Sequence, residues 1–500
     1  MRLGEILVAR GLLKVSDINT ALKRQLVAGG RLGENLIALG LIEPEVLDSV
    51  IHSTPAIPTT IAETGIGQRN LLNLVLKFMH LECVETITEL AERIKLPPRL
   101  VQQLILDASQ QRFVQSLGSS AGDNAFSIRY TLSELGRAAA KEALAQTLYV
   151  GPAPVPLAAY QDQIQKQRIA NEMLDATTLR EGFRGLVVSD YYLRKLLPAI
   201  NAGRSVLLFG PSGNGKTTLA TRIATVFRDV VYVPYAIDVG GQIIRIFDPA
   251  IHKPSVSEAA AAMLSAAGGL QREQFDERWV ACKRPVIIAG GELTLNMLDL
   301  QHNPDTRFYD APLHIKALNG MLLIDDFGRQ KFDPDQLLNR WIVPMENQID
   351  YFSLLSGATF SLPIDQLLVF STNLRPSDLM DPAFLRRIPY KIKLFAPSRD
   401  EYQQIFENVC RLYGLVLTEE VFDFIIDELA VCGLAYYQPK FICEQVTEYC
   451  KSFNQPPELT KELAGEAISN LYFDIANSPD VERAQARSLG RPGFPMPSAA

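Results

Sequence analysis

The stretch Ser205-Val206-Leu207-Leu208-Phe209-Gly210-Pro211-Ser212-Gly213-Asn214-Gly215-Lys216-Thr217-Thr218 decides the fold. Its apolar opening reads as a short buried strand of a parallel sheet. Gly210, Gly213 and Gly215 carry no Cβ, so the loop through Pro211, Ser212 and Asn214 can take positive φ and curl its N–H groups around a polyphosphate. Lys216 supplies a point charge for β and γ phosphates, and the Thr217 hydroxyl, followed by Thr218, is a ligand for Mg²⁺. Leu219 to Ala224 continue as a helix whose positive end faces the anion.

Two further apolar strands complete the pattern. Gly320-Met321-Leu322-Leu323-Ile324-Asp325-Asp326 ends in paired carboxylates. Beside a phosphate loop, Asp325 would hold Mg²⁺ and Asp326 would orient and deprotonate an attacking water. Leu367 to Thr372 is a strand that ends at the amide Asn373, and Asp381-Pro382-Ala383-Phe384-Leu385-Arg386-Arg387 follows.

In this order the motifs resemble the AAA+ ATPases, of the MoxR-like, chaperone type, over about 177–473. The resemblance implies ATP and Mg²⁺ as ligands and Asn373 as the sensor that reads the nucleotide. It implies that Arg387 or Arg386 reaches the γ-phosphate of a neighbouring subunit, and hence a homo-oligomer, a hexamer in that family. Arg340 is a further interface candidate. Lys440 stands where the helical lid of such proteins carries an arginine sensor, and a solvated lysine fits that position too. One departure concerns Asp326, where the family has glutamate and thus a longer arm.

The N-terminus holds a tandem repeat: Arg2-Leu3-Gly4-Glu5-Ile6-Leu7 through Gly11 is echoed by Arg31-Leu32-Gly33-Glu34-Asn35-Leu36 through Gly40. Each copy predicts a helix stopped at its second glycine and a following helix begun near Ser16 or Pro44. The repeat resembles the N-terminal domain of type II secretion and type IV pilus ATPases in the form that binds cyclic di-GMP. The resemblance implies Arg2, Leu3, Gly4, Leu22, Gln25, Arg31, Leu32, Gly33 and Leu47 as contacts. Thr54 stands where the second copy would repeat the glutamine. Arginine forks suit guanine edges and leucines suit purine faces. A helical docking module that binds no nucleotide is the alternative.

Residues 68–148 read as three helices, a two-stranded wing and a fourth helix, similar to winged-helix domains. The helix in reading position offers Arg99 alone among Gln102, Gln103 and Asp107, a weak phosphate-neutralising face, so protein contact is favoured over DNA. Residues 149–176, rich in proline, predict an extended semi-rigid linker and a domain boundary. Val230 to Asn319 is longer than the core requires and predicts pore or substrate loops around Gly240-Gly241 and Gly290-Gly291. From Ser398 the helical lid begins (397–476), after a core of 177–396, and 477–500 predicts a disordered tail.

The fold class is therefore multidomain α/β: a small helical repeat (1–60), a winged-helix-like middle, an αβα core with a parallel sheet, and a lid. With 49 Lys+Arg against 56 Asp+Glu, the chain has no global positive field for nucleic acid or anionic lipid. Six cysteines without a CxxC pair and five scattered histidines argue against a zinc site or a disulfide framework. An acidic residue at position 5 and the lack of a long apolar run predict a cytoplasmic protein without membrane insertion. The functional expectation is an ATP-hydrolysing remodeller of an unidentified protein client, gated by cyclic di-GMP in pilus, secretion, motility or biofilm physiology. A DNA-acting ATPase is the rival.

Overall fold

The computed structural model describes residues 3–9, 12–28, 32–44, 46–47, 53–119, 128–227, 229–255, 275–430 and 432–471. Arg2, Arg31 and the 477–500 tail lie outside the described residues.

The molecule is multidomain α/β, centred on a five-stranded parallel sheet. Its strands are β1 (Val206–Phe209), β2 (Val286–Ala289), β3 (Met321–Ile324), β4 (Leu367–Thr372) and β5 (Tyr390–Lys393), in the order β5-β1-β4-β3-β2. Every pairing in it is parallel. All residues of β3 and β4 are buried, which explains why both read as unbroken apolar runs. The sheet is covered on one side by helices Lys216–Ala224 and Asp190–Asn201 and on the other by Pro334–Asn347.

The segment expected to carry pore or substrate loops contributes, in its described residues, to a second folded module. Gln301–Asn303, Phe308–Asp310, Gln242–Arg245, Ala236–Val239 and Val155–Pro156 form a mixed five-stranded sheet in that order, and Val230–Pro234 pairs antiparallel with Trp279–Lys283. Gly240-Gly241 is the tight turn of a hairpin, with both residues at positive φ. The hairpin Ile349–Ser353/Thr359–Pro363 adds Phe352 and Phe360 to the module's core.

The Pro-rich linker is corrected in the same way. Val155–Pro156 joins that sheet and Leu157–Lys166 is a helix whose Tyr160 and Ile164 are buried in the same core. Apolar residues between the prolines find a partner surface, so the stretch folds instead of spanning. Buried Arg278 pins it, donating to Pro154 O at 3.1 Å and Thr64 O at 2.8 Å while paired with Asp276.

Helices Gln68–Leu81, Ile87–Ile94 and Pro98–Gln110 precede the antiparallel hairpin Val114–Ser119/Ile128–Leu132 and Glu134–Gln146 follows it, the element order expected of a winged-helix-like unit. Thr86 caps the second helix by accepting from Glu89 N. Four helices, Arg399–Tyr413, Glu419–Leu429, Gln438–Ser452 and Lys461–Leu471, form a separate bundle with its own core. In the N-terminal repeat, helices Leu3–Ala9 and Leu32–Ala38 pack with Val15–Ala28 on a common core. Among the described residues no helix is long and apolar enough to cross a membrane.

Candidate nucleotide site

β1 delivers the chain into a loop whose three glycines adopt the positive φ the motif demands: 146° at Gly210, 78° at Gly213 and 73° at Gly215. At Gly213 a Cβ would stand 2.4 Å from the Tyr437 ring, so a side chain there would collide with the bundle as well as strain the backbone. Lys216 is buried and its Nζ donates to Gly210 O at 3.0 Å and Pro211 O at 2.8 Å, which keeps the ammonium within the loop. Burial pulls the Lys216 ammonium below its usual range, while the Asp326 and Asp325 carboxylates oppose that shift.

The carboxylates arrive from β3. Thr217 Oγ1 donates to Asp325 Oδ2 at 2.7 Å, and Asn373 Nδ2, at the end of β4, donates to Asp326 Oδ1 at 2.9 Å. The strand order explains the convergence, because β1, β4 and β3 are neighbours and all release their chains at the same sheet edge. Asp326 itself sits at φ 47°, a left-handed conformation uncommon for a residue with a side chain.

A cleft of about 830 Å³ lies between this edge and the helical bundle. Ser212 to Thr218, Asp325, Asp326 and Asn373 line it on the sheet side, and Lys440 lines it from the first turn of Gln438–Ser452. The helix Arg399–Tyr413 divides its apolar residues between two faces. Tyr402 and Phe406 enter the bundle core, Ile405 and Leu412 line the cleft, and Val409 packs against the core while also lining the cleft. The sequence stripe of five therefore mixed core with cleft wall; the exposure of Leu412, 83 %, is the sign that separates them.

Arg386 and Arg387 stand on helix Pro382–Arg387, away from the cleft of their own chain. Arg387 Nε is 2.6 Å from Glu346 Oε1, and Arg386 Nε donates to Pro382 O at 3.3 Å. Arg340 is corrected: both of its terminal nitrogens lie 2.8 Å from the carboxylate of buried Asp350, which also meets His314 Nε2 at 2.8 Å. That guanidinium neutralises an internal charge rather than facing a neighbour.

In the N-terminal repeat, Leu3, Leu32 and Leu47 are core residues, and Gly4 and Gly33 pack against Ile18 and Leu47. Leu22 is half-buried against the same core and Gln25 is half-buried in Val15–Ala28.

Sequence reasoning missed Gln330. Its amide Nε2 donates to Asp325 O at 3.0 Å and to Asp326 O and Gly290 O at 3.4 Å, and its Oε1 accepts from Gly328 N at 2.9 Å. No motif flags it, because its partners are backbone atoms.

Comparison with known proteins finds distant similarities. Over 267 residues the chain is 22% identical to a probable spastin homologue, spas-1, of Caenorhabditis briggsae, covering 51% of this chain and 38% of that protein. The core is AAA+ ATPase-like. The chain spans well under half the length of that relative. Residues 398–470, the helical bundle, match a family described as a domain of unknown function, DUF8689. Solved structures similar to the AAA+-like chain include a RuvB mutant of Thermotoga maritima (14% identity, 61% of this chain and 83% of that one, TM-score 0.34). Domain III of the replication initiation protein DnaA from the same organism is another (14%, 58% and 95%, TM-score 0.32).

Proposed function

We propose that this chain is an ATP-hydrolysing AAA+ motor that works as a ring and reshapes a protein client.

 The observation that carries this reading is the pair of contacts, Thr217 to Asp325 and Asn373 to Asp326, beside the phosphate loop. They bring a hard-cation donor pair and a carboxylate base to one end of one cleft.

The residues fit magnesium and a triphosphate. Asn214 Nδ2 is buried in the loop with no hydrogen-bond partner among the described residues, a donor waiting in the cradle. Thr217 and Asp325 would hold the cation, which when bound supplies positive charge against the phosphates. Lys216 would exchange its two carbonyl acceptors for phosphate oxygens. Asn373 fixes the Asp326 carboxylate through Oδ1 and leaves Oδ2 to accept a proton from water. Lys440 would approach the phosphates from the bundle, so that nucleotide binding draws the bundle toward the sheet.

In this reading Arg387 or Arg386, lying outside its own cleft, completes the site of a neighbouring copy, and a hexamer supplies that neighbour. The winged-helix-like unit serves protein contact: Arg99 is the single cation among the exposed residues Pro98, Arg99, Gln103, Leu106, Ser109 and Gln110 of its reading helix. The N-terminal repeat binds cyclic di-GMP through Arg2 and Arg31 and biases the ring, in a cytoplasmic pathway of pilus, secretion, motility or biofilm physiology. A second reading, a docking repeat without nucleotide, draws on the burial of Leu3, Leu32 and Leu47, which gives those leucines a packing role.

The deciding experiment is phosphate release by the purified full-length protein with ATP and magnesium, alongside its mass in solution. Hydrolysis by an oligomer, lost on removing magnesium, is the expected result. A chain that neither binds nor splits ATP overturns the reading.

A further inference from the structure

Asp326 presents two problems that its own side chain does not solve. Its arm is one methylene shorter than that of glutamate, and its φ of 47° is a left-handed conformation that is strained for a residue with a Cβ. Such a turn persists where surrounding groups over-determine it.

Gln330 supplies that determination. Its Nε2 reaches Asp325 O at 3.0 Å and Asp326 O at 3.4 Å, the carbonyls on either side of the strained residue. The same nitrogen lies 3.4 Å from Gly290 O, immediately beyond β2, and Oε1 accepts from Gly328 N at 2.9 Å. One amide thus uses both its donor and its acceptor faces on the turn, as a neutral Gln can and an ionised Glu cannot. Beyond it, Thr372 Oγ1 donates to Phe327 O at 2.8 Å and Phe327 N to Ser371 O at 2.7 Å, which fastens the far side of the turn to β4.

We propose that Gln330 is the positioning residue that holds Asp326 in its left-handed turn, so that the short carboxylate meets Asn373 and reaches into the cleft. This rests on the reading of Asp326 as the group that activates water. Gln330 touches no substrate; it acts through the backbone of Asp325 and Asp326. Without it the turn relaxes toward negative φ, the Asp326 carboxylate leaves Asn373, and nucleotide binding by the phosphate loop is untouched.

The test measures turnover and ATP affinity for full-length Gln330→Ala and Gln330→Glu, each alone and combined with Asp326→Asn. Gln330→Glu keeps the size and the acceptor for Gly328 N while facing three carbonyls with a carboxylate, so it reports on the donor even if the alanine variant folds poorly. Expected for both is a fall in kcat of about tenfold or more, with ATP affinity within about threefold of wild type. Added to Asp326→Asn, neither should lower kcat further, because residues acting through one group are not additive. A kcat within about twofold of wild type, a parallel loss of affinity, or a loss that multiplies with that of Asp326→Asn overturns the proposal. Asp326→Asn turning over at the wild-type rate removes the underlying reading instead, and the two failures are thereby told apart.

Discussion

Thr217 Oγ1 lies 2.7 Å from Asp325 Oδ2, although 108 positions separate them in the chain. The contact joins the start of the helix after the phosphate loop to the end of β3. It places a hydroxyl and a carboxylate where a hard cation would find both. Substitutions at this sheet edge should therefore separate binding from chemistry.

Lys216→Ala should weaken ATP binding by about a hundredfold or more, since it removes the single buried ammonium of the loop. Asp326→Asn should bind ATP with near-normal affinity while kcat drops by about a hundredfold or more. Equilibrium binding of a fluorescent ATP analogue, set beside steady-state phosphate release, checks both. Equal turnover by Asp326→Asn and wild type would remove that residue from its role.

The two arginine sites should respond in opposite ways. Arg340→Ala leaves the Asp350 carboxylate buried beside His314 without its guanidinium, and should lower stability by about 3–5 kcal/mol. Arg387→Ala breaks an exposed pair with Glu346 worth about 1 kcal/mol or less, yet should abolish hydrolysis by the oligomer if it serves a neighbour. Denaturant melts and activity measured on mixtures with Lys216→Ala subunits distinguish the cases.

Lys77 gives a pH signature. Burial pulls its ammonium from 10.5 down to about 8, even as Nζ donates to Thr147 O at 2.6 Å. Between those two values the unfolded chain keeps the proton that the folded chain has lost, so the contribution to stability rises with pH across that window. The melting temperature of wild type relative to Lys77→Met should increase from pH 8 toward 10.5. A difference that stays flat would mean that Lys77 is solvated in the native state.

Calorimetry of the full chain with cyclic di-GMP tests the N-terminal reading. Wild type should release heat at a stoichiometry of one ligand per chain or per dimer, and Arg2→Ala with Arg31→Ala should release none. Binding unchanged by the double substitution would reject the two arginines as contacts, and absence of binding to wild type would favour the docking alternative.

Much of the core was legible because its signals are local. Positive φ at Gly210, Gly213 and Gly215 follows from a motif that only glycine satisfies, and the buried strands β3 and β4 follow from apolar runs too short to be helices. The helix Ile87–Ile94 was legible through its period and its cap at Thr86. The Pro-rich stretch was misread because local composition gives extended backbone but not what that backbone will pair with. Val155 to Pro156 found its partner in Ala236 to Val239, about eighty residues on.

The sequence by itself determined that a glycine-rich loop of phosphate-binding pattern, an acidic strand end and a third strand ending in an amide belong to one chain, because each is a property of a few consecutive residues. Only the tertiary structure decided that β1, β4 and β3 lie side by side, that Arg340 turns inward to Asp350, and that Gln330 straps the turn at Asp326. The reason is physical: strand order, burial of charge and hydrogen bonds to backbone atoms depend on which distant segments meet, and residue type at a position does not encode that meeting.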